Sequence, residues 1–271
     1  MGQSSEVDEH ALLSLIRWMT SANVRIGTSG FSYKDWLGNF YPRTLPQTDY
    51  LKYYTTKFMT VELDNTFYRL PTAAMVKKWA GSVPEGFVFT AKFPQAVTHE
   101  GQEPERISTA LAFCEAMRHM EDHLGPLLLQ FAYSFKPDQA EFLRRLLDSL
   151  PTDLRFSVEV RNKSWLGPAL YQVLKDRGIA LCQVDHPWMP RITERTASFA
   201  YIRFLGDHKI FDDDFTYVRF PHEDRLAWWN DLIKSYEQSA TDIYAYFNNH
   251  FSGHAPTTAY RLLELLAGEP K

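Results

Sequence analysis

Short runs in which apolar and polar residues alternate return along the whole chain, and most end on a charge or an amide. They fall at Val24 to Ser29, Thr60 to Asn65, Phe87 to Phe93, Leu127 to Phe131, Phe156 to Arg161, Ala180 to Asp185, Ala200 to Leu205 and Ile243 to Asn248. A period of two sends successive side chains to opposite faces of a strand. Between these runs the spacing becomes helical, over 49–58, 72–80 closed by Gly81, 103–123, 137–150 stopped by Pro151, 167–177 followed by Gly178, 222–238 and 256–266. The stretch 187–196 is too short and Pro-rich to predict a helix. Residues 206–220, with Asp212, Asp213 and Asp214, form an insertion of the length seen in lids and binding loops. Eight strands alternating with helices over 271 residues predict an α/β fold, a (β/α)8 TIM-like barrel, with its chemistry at the carboxyl ends of the strands.

Residues 1–23 read as an N-terminal extension and 24–271 as one barrel domain. Leu12, Leu13, Ile16 and Met19 share a helical face, which predicts an extra N-terminal helix packed on the barrel. The apolar stretch around them is short, contains Arg17 and follows Glu6, Asp8 and Glu9, unlike a secretory signal. No stretch reaches the length of a membrane span, so the expectation is a cytoplasmic protein.

The strand faces carry the functional expectation. Val61 and Leu63 oppose Glu62 and Asp64; Phe89, Ala91 and Phe93 oppose Thr90 and Lys92; Leu127, Leu129 and Phe131 oppose Gln130. Phe156, Val158 and Val160 oppose Ser157, Glu159 and Arg161, while Cys182 and Val184 oppose Gln183 and Asp185. Ile202 and Phe204 oppose Tyr201 and Arg203, and Ala245 and Phe247 oppose Tyr244, Tyr246 and Asn248. If the apolar faces meet the surrounding helices, the polar set points into the barrel. A buried charge without a partner costs several kcal/mol, so such an interior must be paired, hydrated or ligand-bound. An internal charge network and a ligand pocket can coexist, the first in the lower layer and the second above it.

The expected pocket takes an anionic or polar small molecule. Glu62, Glu159 and Asp185 are the candidate catalytic residues, with Glu62 and Glu159 as an acid/base pair of the glycosidase kind. Asn65, Tyr68, Lys92, Gln130, Arg161, Arg203, Asn248 and Asn249 are the candidate binding residues. Arg203 and the segment after Asn248 occupy the place where many barrels hold phosphate. The expected activity is that of a hydrolase or lyase on a phosphorylated or sugar-like metabolite, with a non-enzymatic binding module as the alternative.

Composition narrows this further. A formal net charge of -4 supplies no global basic field for nucleic acid, so a metal-dependent phosphodiesterase ranks last. Cys114 and Cys182 have no metal or redox spacing and read as buried thiols of a reducing compartment. His250 and His254 are four apart, but Gly253 argues for a loop and no glutamate follows the first, so capping or solvent-facing roles are expected. The run Gly27 to Gly30 lacks the spacing of a nucleophile elbow. No metal site is assigned and no cofactor is named.

Several of these segments together resemble a known family. Gly27-Thr28-Ser29-Gly30-Phe31-Ser32-Tyr33, then Asp35-Trp36 and Phe40-Tyr41-Pro42, are followed by Glu62-Leu63-Asp64-Asn65-Thr66-Phe67-Tyr68. Glu159-Val160-Arg161 with Ser164-Trp165, then Phe247-Asn248-Asn249 and Gly253-His254-Ala255, complete the series. In this order they resemble the YecE-like family (domain of unknown function 72), from Val24 onward. The resemblance implies a barrel related to the TIM fold and does not specify a reaction. Four positions depart from the family pattern: Asn162 and Leu205 stand where histidine is frequent, Ala132-Tyr133 where a proline pair is common, and Thr258 where asparagine is usual. Two fewer histidines at the barrel mouth weigh against histidine-dependent chemistry there.

Overall fold

The computed structural model describes residues 23–207, 209–210, 214–239 and 241–268. The expected N-terminal helix, and Asp212 and Asp213 of the insertion, lie outside these residues. Eight parallel strands follow the chain: β1 Val24–Thr28, β2 Thr60–Leu63, β3 Val88–Lys92, β4 Leu124–Gln130, β5 Phe156–Glu159, β6 Ala180–Asp185, β7 Phe199–Phe204 and β8 Asp242–Phe247. From β2 to β8 each strand pairs with the next, and β1 pairs with β8, which leaves β1 and β2 as the two edges of a nearly closed barrel.

Helices fill the connections. They are α1 Tyr50–Tyr54, α2 Ala73–Ala80, the single turn α3 Gln95–Thr98, α4 Glu103–Met117, α5 Ala140–Ser149, α6 Pro168–Lys175, α7 Glu223–Glu237 and α8 Ala255–Ala267. Their boundaries follow local chemistry. Thr72 caps α2 by accepting from Met75 N, and Pro168 opens α6 where its missing N–H is harmless. α4 stops six residues short of its expected end, continuing as a 3-10 segment over Arg118–His123. No helix forms between β6 and β7, as the prolines of 187–196 predict. Among the described residues no helix is long and apolar enough to cross a membrane. Cys114 and Cys182 are buried and unpaired.

The outward faces of the strands bury Ile26, Val61, Leu63, Phe89, Leu129, Val158, Ile202 and Phe247 against the apolar stripes of the helices. A second apolar cluster fills the lower barrel with Val88, Leu128, Cys182, Val184, Phe199, Tyr201, Tyr244 and Tyr246. The interior is therefore layered, apolar and tyrosine-rich below and ionic above.

One strand runs in the opposite phase to the expectation. Cys182 and Val184 face the interior, whereas Gln183 and Asp185 face the helices. The reason is that α7 supplies polar partners: Tyr236 receives the Gln183 amide at 2.7 Å, Trp229 donates to Asp185 Oδ2 at 2.6 Å, and Arg225 pairs with Oδ1. A polar residue can face the helix layer when partners stand there: the Gln183 amide nitrogen and both Asp185 oxygens are met by them.

The barrel closes at the seam between β1 and β2, joined by the bridge Ser29 to Glu62 and the bond from Gly30 N to Glu62 O at 2.8 Å. Below that bridge the buried Tyr54 hydroxyl inserts from α1, accepting from Thr28 N at 3.0 Å and donating to Thr60 O at 3.0 Å. A Cβ at position 27 would stand 2.2 Å from Thr60 O, so glycine allows the strands to approach. Tyr54→Phe strands one buried donor and one buried acceptor, each worth about 1–3 kcal/mol when unsatisfied. The expected result is a fall of at least about 2 kcal/mol in urea unfolding with an unchanged m value. A loss below about 0.5 kcal/mol would mean that the seam does not depend on this hydroxyl.

Candidate functional site

The carboxyl ends of β2, β5 and β7 converge on Arg203. Its Nε and Nη2 donate to Glu62 Oε1 at 3.1 and 2.8 Å, and its Nη1 donates to Glu159 Oε2 at 2.6 Å. Glu62 also accepts from Ser29 Oγ and from the Tyr201 hydroxyl, both at 2.7 Å, while Glu159 Oε1 pairs with Arg161 Nε. Glu62, Glu159 and Arg203 are all buried, so each charge depends on the others for solvation. Burial alone would raise the Glu159 carboxyl, but the charges and hydrogen bonds of Arg161 and Arg203 hold it down at about 2. Burial would lower the Arg203 guanidinium, yet the two glutamates raise it well above its ordinary value. The pair stays charged throughout the physiological range.

Above this layer opens a cavity of about 490 Å³, whose lining includes Asp64, Lys92, Gln130, Arg161, Arg203 and Asn248. Lys92 Nζ sits 3.5 Å from the centre of the Phe67 ring. Among the described residues it has no hydrogen-bond or ion-pair partner. Burial, and then the neighbouring Arg203, lower it to about 8. Asp64 moves the other way, raised by burial and by Glu62. Three aromatic side chains with most of their surface in solvent ring the same mouth: Tyr68 (77 % exposed), Tyr133 (71 %) and Trp188 (62 %). Asn162 holds Tyr133 in place, donating from Nδ2 to its carbonyl at 3.1 Å while accepting from Ser164 N.

The loop after β7 is shaped against this mouth. Gly206 has φ +66°, and a Cβ there would lie 1.8 Å from His250 O, so only glycine fits. Further on, Phe215 N donates to Asp35 Oδ2 at 3.1 Å, and Arg219 N donates to Ser252 O at 2.7 Å. These bonds tie the described part of the insertion to the β1 and β8 loops.

A family model described as "Protein of unknown function DUF72" matches residues 25–271. The chain belongs to the DUF72 family. It is 26 % identical over 270 residues to the UPF0759 protein YunF of Bacillus subtilis, covering 90 % of this chain and 94 % of that protein. With the UPF0759 protein YecE of Escherichia coli K12 the identity is 25 % over 239 residues, 79 % of this chain and 84 % of the other. The crystal structure of a DUF72 family protein, TM1631 of Thermotoga maritima, superposes with a TM-score of 0.76 at 30 % identity, over 90 % of this chain and 98 % of that one. EF0366 of Enterococcus faecalis shares the fold with a TM-score of 0.72 at 23 % identity, over 90 % of this chain and 97 % of that one.

The geometry of this DUF72 barrel sorts the expected site residues. Tyr68, Lys92, Gln130, Arg161, Arg203 and Asn248 meet around the cavity. Glu62 and Glu159 lie beneath it with their oxygens committed to Arg203, Arg161, Ser29 and Tyr201. Asp185 is anchored to α7 on the far side of the sheet wall. Asn65 is exposed and begins a 3-10 turn outside the lining. Asn249 is buried behind the mouth, where its Oδ1 receives Trp36 Nε1 at 3.1 Å and Ala255 N at 3.0 Å. His254 caps α8 by accepting from Thr257 N, and burial lowers its ring to about 4. Among the described residues no three His, Cys, Asp or Glu side chains gather to share a metal ion.

Sequence periodicity gave no access to Tyr133, His99, His186 and Trp188, which line the cavity from loops. Asp64 follows the last residue of β2 and is visible by alternation alone.

Acid titration tests the ionic layer. Glu159 is depressed in the folded state, so the stability it contributes is present above the ordinary carboxyl value of 4.5 and lost as pH falls towards about 2. Urea unfolding between pH 5 and 2.5 should show a steep loss in the native protein. Glu159→Gln should be less stable at pH 7 with a flatter acid slope; equal slopes would remove the pair from the acid response.

Proposed function

We propose that this protein is an enzyme of the lyase or hydrolase class that binds a phosphorylated, sugar-like small molecule at the barrel mouth. The observation that carries the reading is a cavity combining cations at its base with exposed aromatic faces at its rim. Arg161 and Arg203 present planar guanidinium groups suited to an oxyanion, and Lys92 stands beside them. Tyr68, Tyr133 and Trp188 offer flat apolar faces with polar edges at the entrance, the type of surface on which a sugar ring or another flat group stacks. The volume of about 490 Å³ suits a metabolite.

In this reading Glu62 and Glu159 are positioning residues that act through Arg203. A carboxyl held down at about 2 is a poor proton donor at neutral pH, so Glu159 is not the general acid of the reaction. That work falls to Asp64, whose raised carboxyl lines the cavity. The commitment of both buried glutamates to Arg203 also favours a second reading, a binding module that holds its ligand without turning it over.

A thermal-shift and calorimetric comparison of ribose 5-phosphate, glucose 6-phosphate, orthophosphate and free ribose tests the proposal. A sugar phosphate at 100 times its Kd should stabilise the native protein by about 2.7 kcal/mol. Arg161→Gln should weaken it about 10- to 100-fold, as expected for a charged hydrogen bond. Tyr133→Ala should weaken the sugar phosphate while leaving orthophosphate unchanged. Absence of any shift, or shifts indifferent to Arg161→Gln, would overturn it. Product detected by mass spectrometry separates the enzyme from the binding module.

A further inference from the structure

We infer that Lys92 is a nucleophilic amine that forms an imine with a carbonyl-bearing ligand in this cavity, which would make the chemistry a carbon–carbon lyase. The inference rests on the anion-binding reading of the same cavity and adds what happens to the ligand there. Four observations converge on the residue. Lys92 ends β3, so its stem rises from the rigid barrel wall into the cavity. Its ammonium has no carboxylate, hydroxyl or carbonyl partner among the described residues, although Glu62 and Glu159 lie in the layer below. Both are already matched by Arg203 and Arg161. The face of Phe67 lies 3.5 Å from Nζ, a cation–π contact that fixes the position of the amine at the cavity wall.

The charges around Lys92 come from several elements. Arg203 of β7 and Arg161 after β5 repel its protonated form; Glu62 of β2 and Glu159 of β5 attract it from behind those guanidiniums. Asp64 and His99 line the same cavity. An amine buried beside other cations gives up its proton more readily, which is how a lysine becomes a nucleophile near neutral pH. The lowering to about 8 agrees with this surrounding.

The step balances within the cavity. Neutral Nζ attacks the carbonyl carbon, and the C=O electron pair passes to oxygen, which takes a proton from nitrogen. The resulting hydroxyl leaves as water with a proton from Asp64, giving an iminium. In a ligand with a hydroxyl on the β carbon, the Asp64 carboxylate recovers that proton. The Cα–Cβ pair flows to the iminium nitrogen and an aldehyde departs. Protonation of the enamine and addition of water restore the free lysine and release the second product. No oxidant or metal enters this sequence.

Borohydride trapping decides the matter. The full chain is incubated at pH 7.5 with dihydroxyacetone phosphate or ribose 5-phosphate and sodium borohydride, and adducts are counted by intact mass and located by peptide mapping. One reduced adduct per chain is expected at Lys92, forming at least about tenfold faster than at the exposed Lys77 because the cavity holds the carbonyl ligand against its amine. Lys92→Met should show none, and orthophosphate should slow the native reaction. Mapping in the native protein gives the same answer even if that variant fails to fold. Labelling of Lys92 no faster than Lys77 would overturn the proposal. A thermal shift by the sugar phosphate without an adduct would leave the anion site standing and remove the imine. An adduct that orthophosphate does not slow would keep the amine and remove the anion site.

Discussion

Arg203 and its two glutamates are the constraint on which the upper barrel depends. A guanidinium on β7 reaches across the interior to carboxylates on β2 and β5, so one side chain fixes the relative positions of three strands that are not neighbours in the sheet. Such a triad is expensive to bury, and it persists because every carboxylate oxygen has a donor and three guanidinium nitrogens have acceptors. Tyr201 and Ser29 complete the set around Glu62, which also joins the ionic layer to the tyrosine layer beneath and to the β1–β2 seam above. Removing any member leaves a buried charge for the rest of the barrel to absorb.

This arrangement gives the floor of the cavity its chemical character. Because the glutamates are neutralised from above, what faces outward is cationic: the remaining edges of Arg161 and Arg203, and an amine that no carboxylate claims. The same neutralisation separates the roles of the carboxyl groups. Glu159 is kept ionised by two guanidiniums, whereas Asp64, half-buried and beside Glu62, has its carboxyl raised by desolvation and by that neighbouring charge. Two carboxyls with opposed environments in one barrel can serve as a fixed counter-charge and a proton carrier.

The rim is built by other means. Tyr68, Tyr133 and Trp188 project from loops whose backbone is fixed by short-range bonds: the 3-10 turn Asn65–Phe67, the Asn162 amide on the Tyr133 carbonyl, and the turn closed by Met189 N on His186 O. The rigid barrel sets the cations, and the loops set the aromatic entrance. This division is usual for barrels, whose strands fix geometry while loops vary the ligand.

The chain by itself determined the strand number and order, the helix boundaries to within a turn in most connections, and the gathering of Lys92, Gln130, Arg161 and Arg203 at one end of the barrel. Alternation of apolar and polar residues is a local signal, and a closed barrel turns it into position because strand ends must meet. Tertiary structure alone decided the phase of β6. Gln183 and Asp185 look like interior residues until Tyr236, Trp229 and Arg225 are placed opposite them by a helix about forty to fifty positions later. It likewise decided that Glu62 and Glu159 share one arginine, that Asn249 braces Trp36, and that three loop aromatics face one cavity. Each of these depends on contacts between residues far apart in the chain, for which periodicity carries no information.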